Sequence, residues 1–222
     1  EAAYVHMMGG HRLSSNAADV DKSLCLSASA LKQVKRATNE LHALFMHATD
    51  YVINNEEALA KFNIPSCLWH KIRQSWENRR NQMITGRFDF SMSHRGLKLY
   101  EYNADSSSCY MEAAKVQGKW AESVGCDIGR DAGEELTERL IKAWRQSKVD
   151  GVLHIMQDVD PEETYHALYM KEALEAAGIN CKIITGVAGL HWTEQGDIAD
   201  ADGCVIRWVW KTWAWETALD QI

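Results

Sequence analysis

The chain has 222 residues, enough for one large domain or two small ones, and its 46% hydrophobic and 25% charged content is ordinary for a soluble globular protein. No run approaches the ~20 apolar residues of a membrane span, and no basic start leads into an apolar stretch as in a signal peptide. A net charge of −7 without basic runs argues against a nucleic-acid partner and favours a cationic one.

Residues 1–23 are polar and rich in Gly, Ser and Asn, which reads as an irregular lead-in. From Ser27 to Asn54 the apolar positions Leu31, Val34, Leu41, Leu44, Phe45, Ala48 and Val52 recur at helical spacing, predicting an amphipathic helix with one buried stripe. A second helix is expected from Pro65 through Leu68, Trp69, Ile72 and Trp76, with proline in its first turn. Met83–Met92 and Leu97–Asn103 alternate as two strands around Ser93-His94-Arg95-Gly96, a turn with glycine where a positive φ is needed. Helices are expected over Tyr110–Ser123 and Ala132–Trp144. Beyond them, strand Val152–Met156, helix Glu162–Ala177 closed by Gly178, and strand Cys181–Ile184 make one βαβ unit. Cys204–Trp210 reads as a further strand. The expected fold class is therefore mixed α/β, with residues 1–150 carrying the early helices and the hairpin, and 151–222 a βαβ subdomain, incomplete at its C-terminus.

Cys25, Cys67, Cys109, Cys126, Cys181 and Cys204 are widely spread with no CxxC pair, and the nine histidines show no HExxH spacing. Reduced, mostly buried thiols and a cytoplasmic location are expected, without a zinc framework.

Counting back from the hairpin turn sets Ser91 opposite Leu99, Asp89 opposite Glu101 and Arg87 opposite Asn103. Phe88 then meets Tyr102 and Phe90 meets Tyr100 on the reverse, apolar face. Two opposed carboxylates repel unless a cation lies between them. Arg87 is one candidate; a divalent metal held by the hard oxygens of Asp89, Glu101 and Asn103 is another. A solvent-facing edge with a few salt bridges fits the spacing equally well. The following Asp105-Ser106-Ser107-Ser108-Cys109 run can bind an anion at a helix start or simply cap the helix. Glu162 and Glu163, after Asp158 and Asp160, make an acidic cluster that reads first as an acid-rich helical turn complementing the helix dipole. A metal-dependent hydrolase built on the hairpin carboxylates lacks a histidine or lysine at a convincing spacing to act as base.

Five ordered blocks are recognisable. They are Ile84-Thr85-Gly86-Arg87-Phe88-Asp89-Phe90; Tyr100-Glu101-Tyr102-Asn103-Ala104-Asp105-Ser106; His154-Ile155-Met156-Gln157-Asp158 with Glu162-Glu163; Tyr165-His166; and Trp210-Lys211-Thr212-Trp213-Ala214-Trp215-Glu216-Thr217. Together they resemble the synthetase domain of the glutathionylspermidine synthase and trypanothione synthetase family. The resemblance implies an ATP-grasp fold with a pre-ATP-grasp-like unit, and an ATP-dependent C–N ligase joining the glycine carboxylate of glutathione to spermidine through an acyl phosphate.

It further implies Mg2+ on Asp89, Glu101 and Asn103. Arg87 would be the catalytic residue, touching ATP and glutathione, with Ser106, Ser108 and Cys109 as further glutathione contacts. Glu162, Glu163, Thr212 and Thr217 would form the spermidine site. The remaining ATP-binding residues, with their glycine-rich loop and paired lysines, are expected outside this stretch, as is the cysteine-histidine amidase domain of many relatives. A homodimer through such further parts is one option. The 211–217 run leans toward the mono-glutathionylated product. A trypanothione synthetase, and a non-catalytic glutathione- or polyamine-binding fragment, are the alternatives.

Overall fold

The computed structural model describes residues 22–82, 84–104, 108–126 and 128–212. The chain divides into two compact units. One comprises Leu26–Ile84 and Phe88–Tyr102; the other takes residues 22–25, Thr85–Arg87 and 103–212. This grouping crosses the boundary expected at residue 150, because the helix Leu136–Gln146 packs on the later helix Pro161–Ala177.

In the smaller unit, α1 (Ala28–Ile53) begins at Ser27, whose hydroxyl accepts the Ala30 N–H at 3.1 Å. That contact satisfies one of the orphan donors of a helix start. The buried side of α1 is narrower than the sequence stripe, since Leu44 is 62% exposed. His42 and Phe45 instead meet an aromatic layer. Phe45 packs on Phe88 and Tyr102 with ring centroids 6.1 and 5.1 Å away, and His42 Nδ1 lies 3.0 Å from the Tyr102 hydroxyl. A short α2 (Glu56–Ala60) follows. The helix expected from Pro65 is split into a 3-10 turn, Ser66–Leu68, and α3 (Trp69–Glu77). Trp76 Nε1 ties α3 to Asp50 of α1 at 2.8 Å. α4 (Arg79–Gln82) is a single turn.

The hairpin forms as β1 (Arg87–Ser93) and β2 (Gly96–Asn103), with Gly96 at φ +89°. Ser93 Oγ accepts the Arg95 N–H across the turn at 3.1 Å. Phe88 and Tyr102 stack with centroids 4.0 Å apart, as the alternation predicts, but Tyr100, expected beside Phe90 on the same apolar face, is 75% exposed.

In the larger unit the expected Tyr110–Ser123 helix contains a π-helical segment, Glu112–Val116, before α5 (Gln117–Ser123). A Cβ on Gly133 would come 1.7 Å from the Ala113 carbonyl oxygen. Only glycine allows that approach, and residues 132–135 consequently run as a turn. The next helix therefore starts late, as α6 (Leu136–Gln146).

β3 (Val152–Gln157), α7 (Pro161–Ala177) and β4 (Asn180–Thr185) form the βαβ unit, with β3 and β4 parallel and Leu153 against Cys181. Gly178, at φ +86°, ends α7. β5 (His191–Trp192) and β6 (Ile198–Ala199) make a small antiparallel pair. The last strand is shorter than expected, β7 (Trp208–Lys211), because Val205 bridges Ala199 instead. β7 runs parallel to β3 on its other edge, giving the order β4-β3-β7. Leu153, Ile155, Ala167, Met170 and Leu174 form the buried centre, and Trp144 Nε1 approaches the Met170 sulfur at 3.1 Å to clamp α6 onto α7.

Candidate active site

The larger unit gathers three of the expected residues. Arg87 Nη1 donates to Ser108 Oγ at 3.0 Å and reaches Cys109 Sγ at 3.6 Å, while Ser108 Oγ lies 3.6 Å from that sulfur. Cys109 is exposed and has φ +70°, the left-handed region that residues bearing a Cβ rarely adopt. Holding it there turns thiol, hydroxyl and guanidinium toward one another. The next residue, Tyr110, is buried. Its hydroxyl makes a short hydrogen bond with Thr85 Oγ1, and its ring lies 6.4 Å from that of Trp210. Tyr110 thus anchors the cluster from below, a role the sequence pattern did not single out. A planar guanidinium beside a hydroxyl and a thiol can grip a carboxylate or phosphate oxygen.

Of the hard-oxygen donors, Asp89 lies on β1 and Glu101 and Asn103 on β2. Asp89 and Asn103 are half-buried and Glu101 is exposed. Carboxylate and carboxamide oxygens are hard donors of the type that Mg2+ takes. Ser106 and Thr217 lie outside the described residues, as does the side chain of Glu162, whose backbone belongs to the first turn of α7.

The other expected residues sit near the carboxyl end of the parallel sheet. Glu163 is half-buried in the first turn of α7, and its N–H donates to the Asp160 carbonyl at 3.0 Å. Thr212 follows β7, its N–H bonded to the Met156 carbonyl at 3.0 Å. Two residues missed by sequence reasoning join this end. Gln157 Nε2 donates to Thr164 Oγ1 at 3.0 Å, and the Tyr165 hydroxyl donates to Glu112 Oε1 at 3.4 Å. The signal for Gln157 was a carboxamide ending a strand that is apolar apart from His154.

A separate polar centre lies on the other face of the sheet. Asp200 Oδ2 is 3.2 Å from His154 Nε2 and 2.9 Å from Lys182 Nζ, and its Oδ1 accepts the N–H groups of Asp202 and Cys204 at 3.0 and 2.8 Å. The Lys182 ammonium, then the Cys204 N–H, hold the Asp200 carboxyl well below the usual carboxylate range. Bonds to Asp202 and Asp200 push Lys182 up in turn. His154, Asp200 and Cys204 have ligand atoms within 4.8 Å of one another, a metal-like grouping that the zinc-free expectation passed over. With the Lys182 cation already on Asp200 and both carboxylate oxygens bonded, this centre reads as the staple of the β5–β6 region. The thiols also differ from expectation: all six are free, but Cys25, Cys67 and Cys109 are exposed and the others half-buried.

Residues 6–221 match the family described as glutathionylspermidine synthase preATP-grasp. The chain belongs to the glutathionylspermidine synthase pre-ATP-grasp family. It is 48% identical over 197 residues to the bifunctional glutathionylspermidine synthetase/amidase of Escherichia coli (strain K12), covering 89% of this chain and 32% of that protein. It is 41% identical over 184 residues to trypanothione synthetase of Crithidia fasciculata, covering 81% of this chain and 28% of that one. Glutathionylspermidine synthase of the same organism is 28% identical over 211 residues, or 84% of this chain and 29% of the relative. The chain thus spans about a third of the length of these curated relatives. Among the described residues no helix is long and apolar enough to cross a membrane.

Proposed function

We propose that this chain is the acceptor-side part of an ATP-dependent ligase that joins the glycine carboxylate of glutathione to spermidine. The observation that carries this reading is the contact set of Arg87 with Ser108 and Cys109, found within a chain of this family. In the reaction a carboxylate oxygen takes the terminal phosphoryl group of ATP, and the amine nitrogen then attacks the acyl carbon and releases phosphate. Arg87 binds the oxygens on which negative charge grows, and Ser108 with Ser106 orients the glutathione backbone. Cys109 lies beside the glutathione sulfur. Glu162, Glu163, Thr212 and Thr217 receive the polyamine cation. Asp89, Glu101 and Asn103 would hold Mg2+, which when bound offsets phosphoryl charge. Arg87 is this chain's contact to ATP; the other nucleotide contacts, and the ATP-grasp fold that holds them, belong to other parts of such a ligase. The reading places the enzyme in the cytoplasm.

The test is ATP consumption by the full-length protein, which should require glutathione and spermidine together and should collapse in Arg87→Ala. Turnover with either substrate alone, or an unchanged Arg87→Ala, overturns the assignment. The 41% identity to a trypanothione synthetase supports a second reading, in which glutathionylspermidine is itself an acceptor. Efficient conversion of added glutathionylspermidine would select it. A third reading is a non-catalytic glutathione or polyamine binder. Calorimetric binding without ATP turnover by the full-length protein would favour it.

A further inference from the structure

Two buried oxygens at the carboxyl end of the parallel sheet have no use within the fold. Gln157 Oε1 and Thr212 Oγ1 are both buried without a hydrogen-bond partner, and Gln157 as a whole is only 4% exposed. Native structures rarely leave such atoms unpaired, because burial strips them of water and returns nothing.

Their placement is set by the strands. Met156 pairs with Lys211, and the Thr212 N–H continues the ladder to the Met156 carbonyl. Gln157 and Thr212 therefore occupy the next rung, on adjacent strand tips ~4.8 Å apart. Side chains alternate along a strand, so this rung shares its face with Ile155 and Trp210. Trp210 is the residue whose ring meets Tyr110, the neighbour of Cys109. From Trp210 to Thr212 the strand advances about 7 Å. The rung and the Arg87–Ser108–Cys109 cluster thus attach to the same side of one sheet. The carboxyl ends of parallel strands are also where such sheets take ligands.

The chemistry of the rung selects a donor. Gln157 gives its N–H to Thr164, which leaves the buried carbonyl oxygen as the unpaired end of the carboxamide. Thr212 adds a hydroxyl, and Asp158, Asp160 and Glu163 stand in the adjoining loop and helix start. Two oxygens amid carboxylates repel an anion and match an alkylammonium, which carries three N–H donors. We propose that Gln157 is a substrate-binding, specificity-determining residue that with Thr212 accepts N–H bonds from an aliphatic primary amine. The proposal rests on the reading of this chain as an amine-accepting ligase and adds a neutral contact to its acidic pair.

The test is steady-state kinetics on the full-length enzyme with Gln157→Leu and Gln157→Glu. Gln157→Leu should raise KM for spermidine by about 10- to 100-fold and leave KM for glutathione and ATP unchanged. Gln157→Glu, which keeps the shape and the acceptor oxygen, should recover most of that loss. Gln157→Leu also removes the N–H bond to Thr164, so its thermal melt is read beside Thr164→Val, which breaks the same bond but keeps the carboxamide oxygen and should leave KM for spermidine near wild type. A matching rise in KM for glutathione, which would make the carboxamide a peptide contact, overturns the proposal, as does an unchanged KM for spermidine. If wild-type enzyme does not turn over spermidine, the ligase reading fails. Calorimetric titration with spermidine then decides the amine site separately, weakened by Leu and retained by Glu if the site is real, and unaffected by Leu if it is not.

Discussion

Arg87 and Cys109 are held together at 3.6 Å, guanidinium to thiol, although one opens a strand and the other precedes a helix. Ser108 completes the triangle with its hydroxyl 3.0 Å from Arg87. In the full-length ligase, Arg87→Ala should lower kcat by about 10²- to 10³-fold, the range seen when one aimed donor is lost. Arg87→Lys should restore only a small part, since an ammonium keeps the charge but not the fork. Coupled-enzyme assay of ADP release reads both; a lysine variant as active as wild type would show that charge alone suffices.

The backbone at Cys109 stores strain that a site can use and a scaffold would shed. With φ +70°, Cys109→Gly should be more stable than Cys109→Ala by about 1 kcal/mol, the reverse of the usual ranking of those two residues. Thermal melts of the two variants settle the order.

Gly133→Ala tests the close approach that shapes the π segment. Its new methyl would meet the Ala113 carbonyl oxygen at 1.7 Å, so the loop or the π segment must move. An expected loss of about 1–3 kcal/mol is typical of overpacking against atoms that cannot yield freely. Chemical denaturation measures it, and a loss below a few tenths would mean that the segment relaxes at no cost.

The Asp200–Lys182 pair gives stability a defined pH window. Asp200 is depressed in the folded state, so its contribution is present above the unfolded carboxyl value of about 3.9 and is lost as pH falls through the native value. Lys182 is raised, so its contribution is present below about 10.4 and fades as pH climbs through the native value. Asp200→Asn should therefore melt below wild type from pH 5 to 9, with the gap narrowing below about pH 4. A gap constant down to pH 2 would contradict the linkage.

Elements fixed by local chemistry were legible in the sequence. Alternation around Gly96 gave the hairpin and the Phe88–Tyr102 stack, and the apolar run with Gly178 gave the βαβ unit. What escaped depends on contacts distant in sequence. The π segment and the late start of α6 lie where Gly133 comes close to the Ala113 carbonyl, an approach that spacing along the chain does not reveal. Leu44 fits the helical stripe by spacing yet stays exposed, because the aromatic layer of the hairpin meets His42 and Phe45 instead. At the candidate site, the family resemblance pointed to Arg87, Ser108 and Cys109, whose side chains lie within 3.6 Å of one another. The anchor Tyr110 and the orphan oxygen of Gln157 emerge only once β7 lies beside β3.

That strand order also governs how the chain is made. β3 is the middle strand, yet its second neighbour, β7, is translated well after α7 and β4 have closed over the first. A nascent chain therefore carries an open parallel edge along Leu153 and Ile155, a template for pairing with other chains, until Trp208–Lys211 leaves the ribosome. Ribosome stalling or truncation between β4 and β7 should yield aggregates, whereas the same interruption placed after the sheet is complete should not.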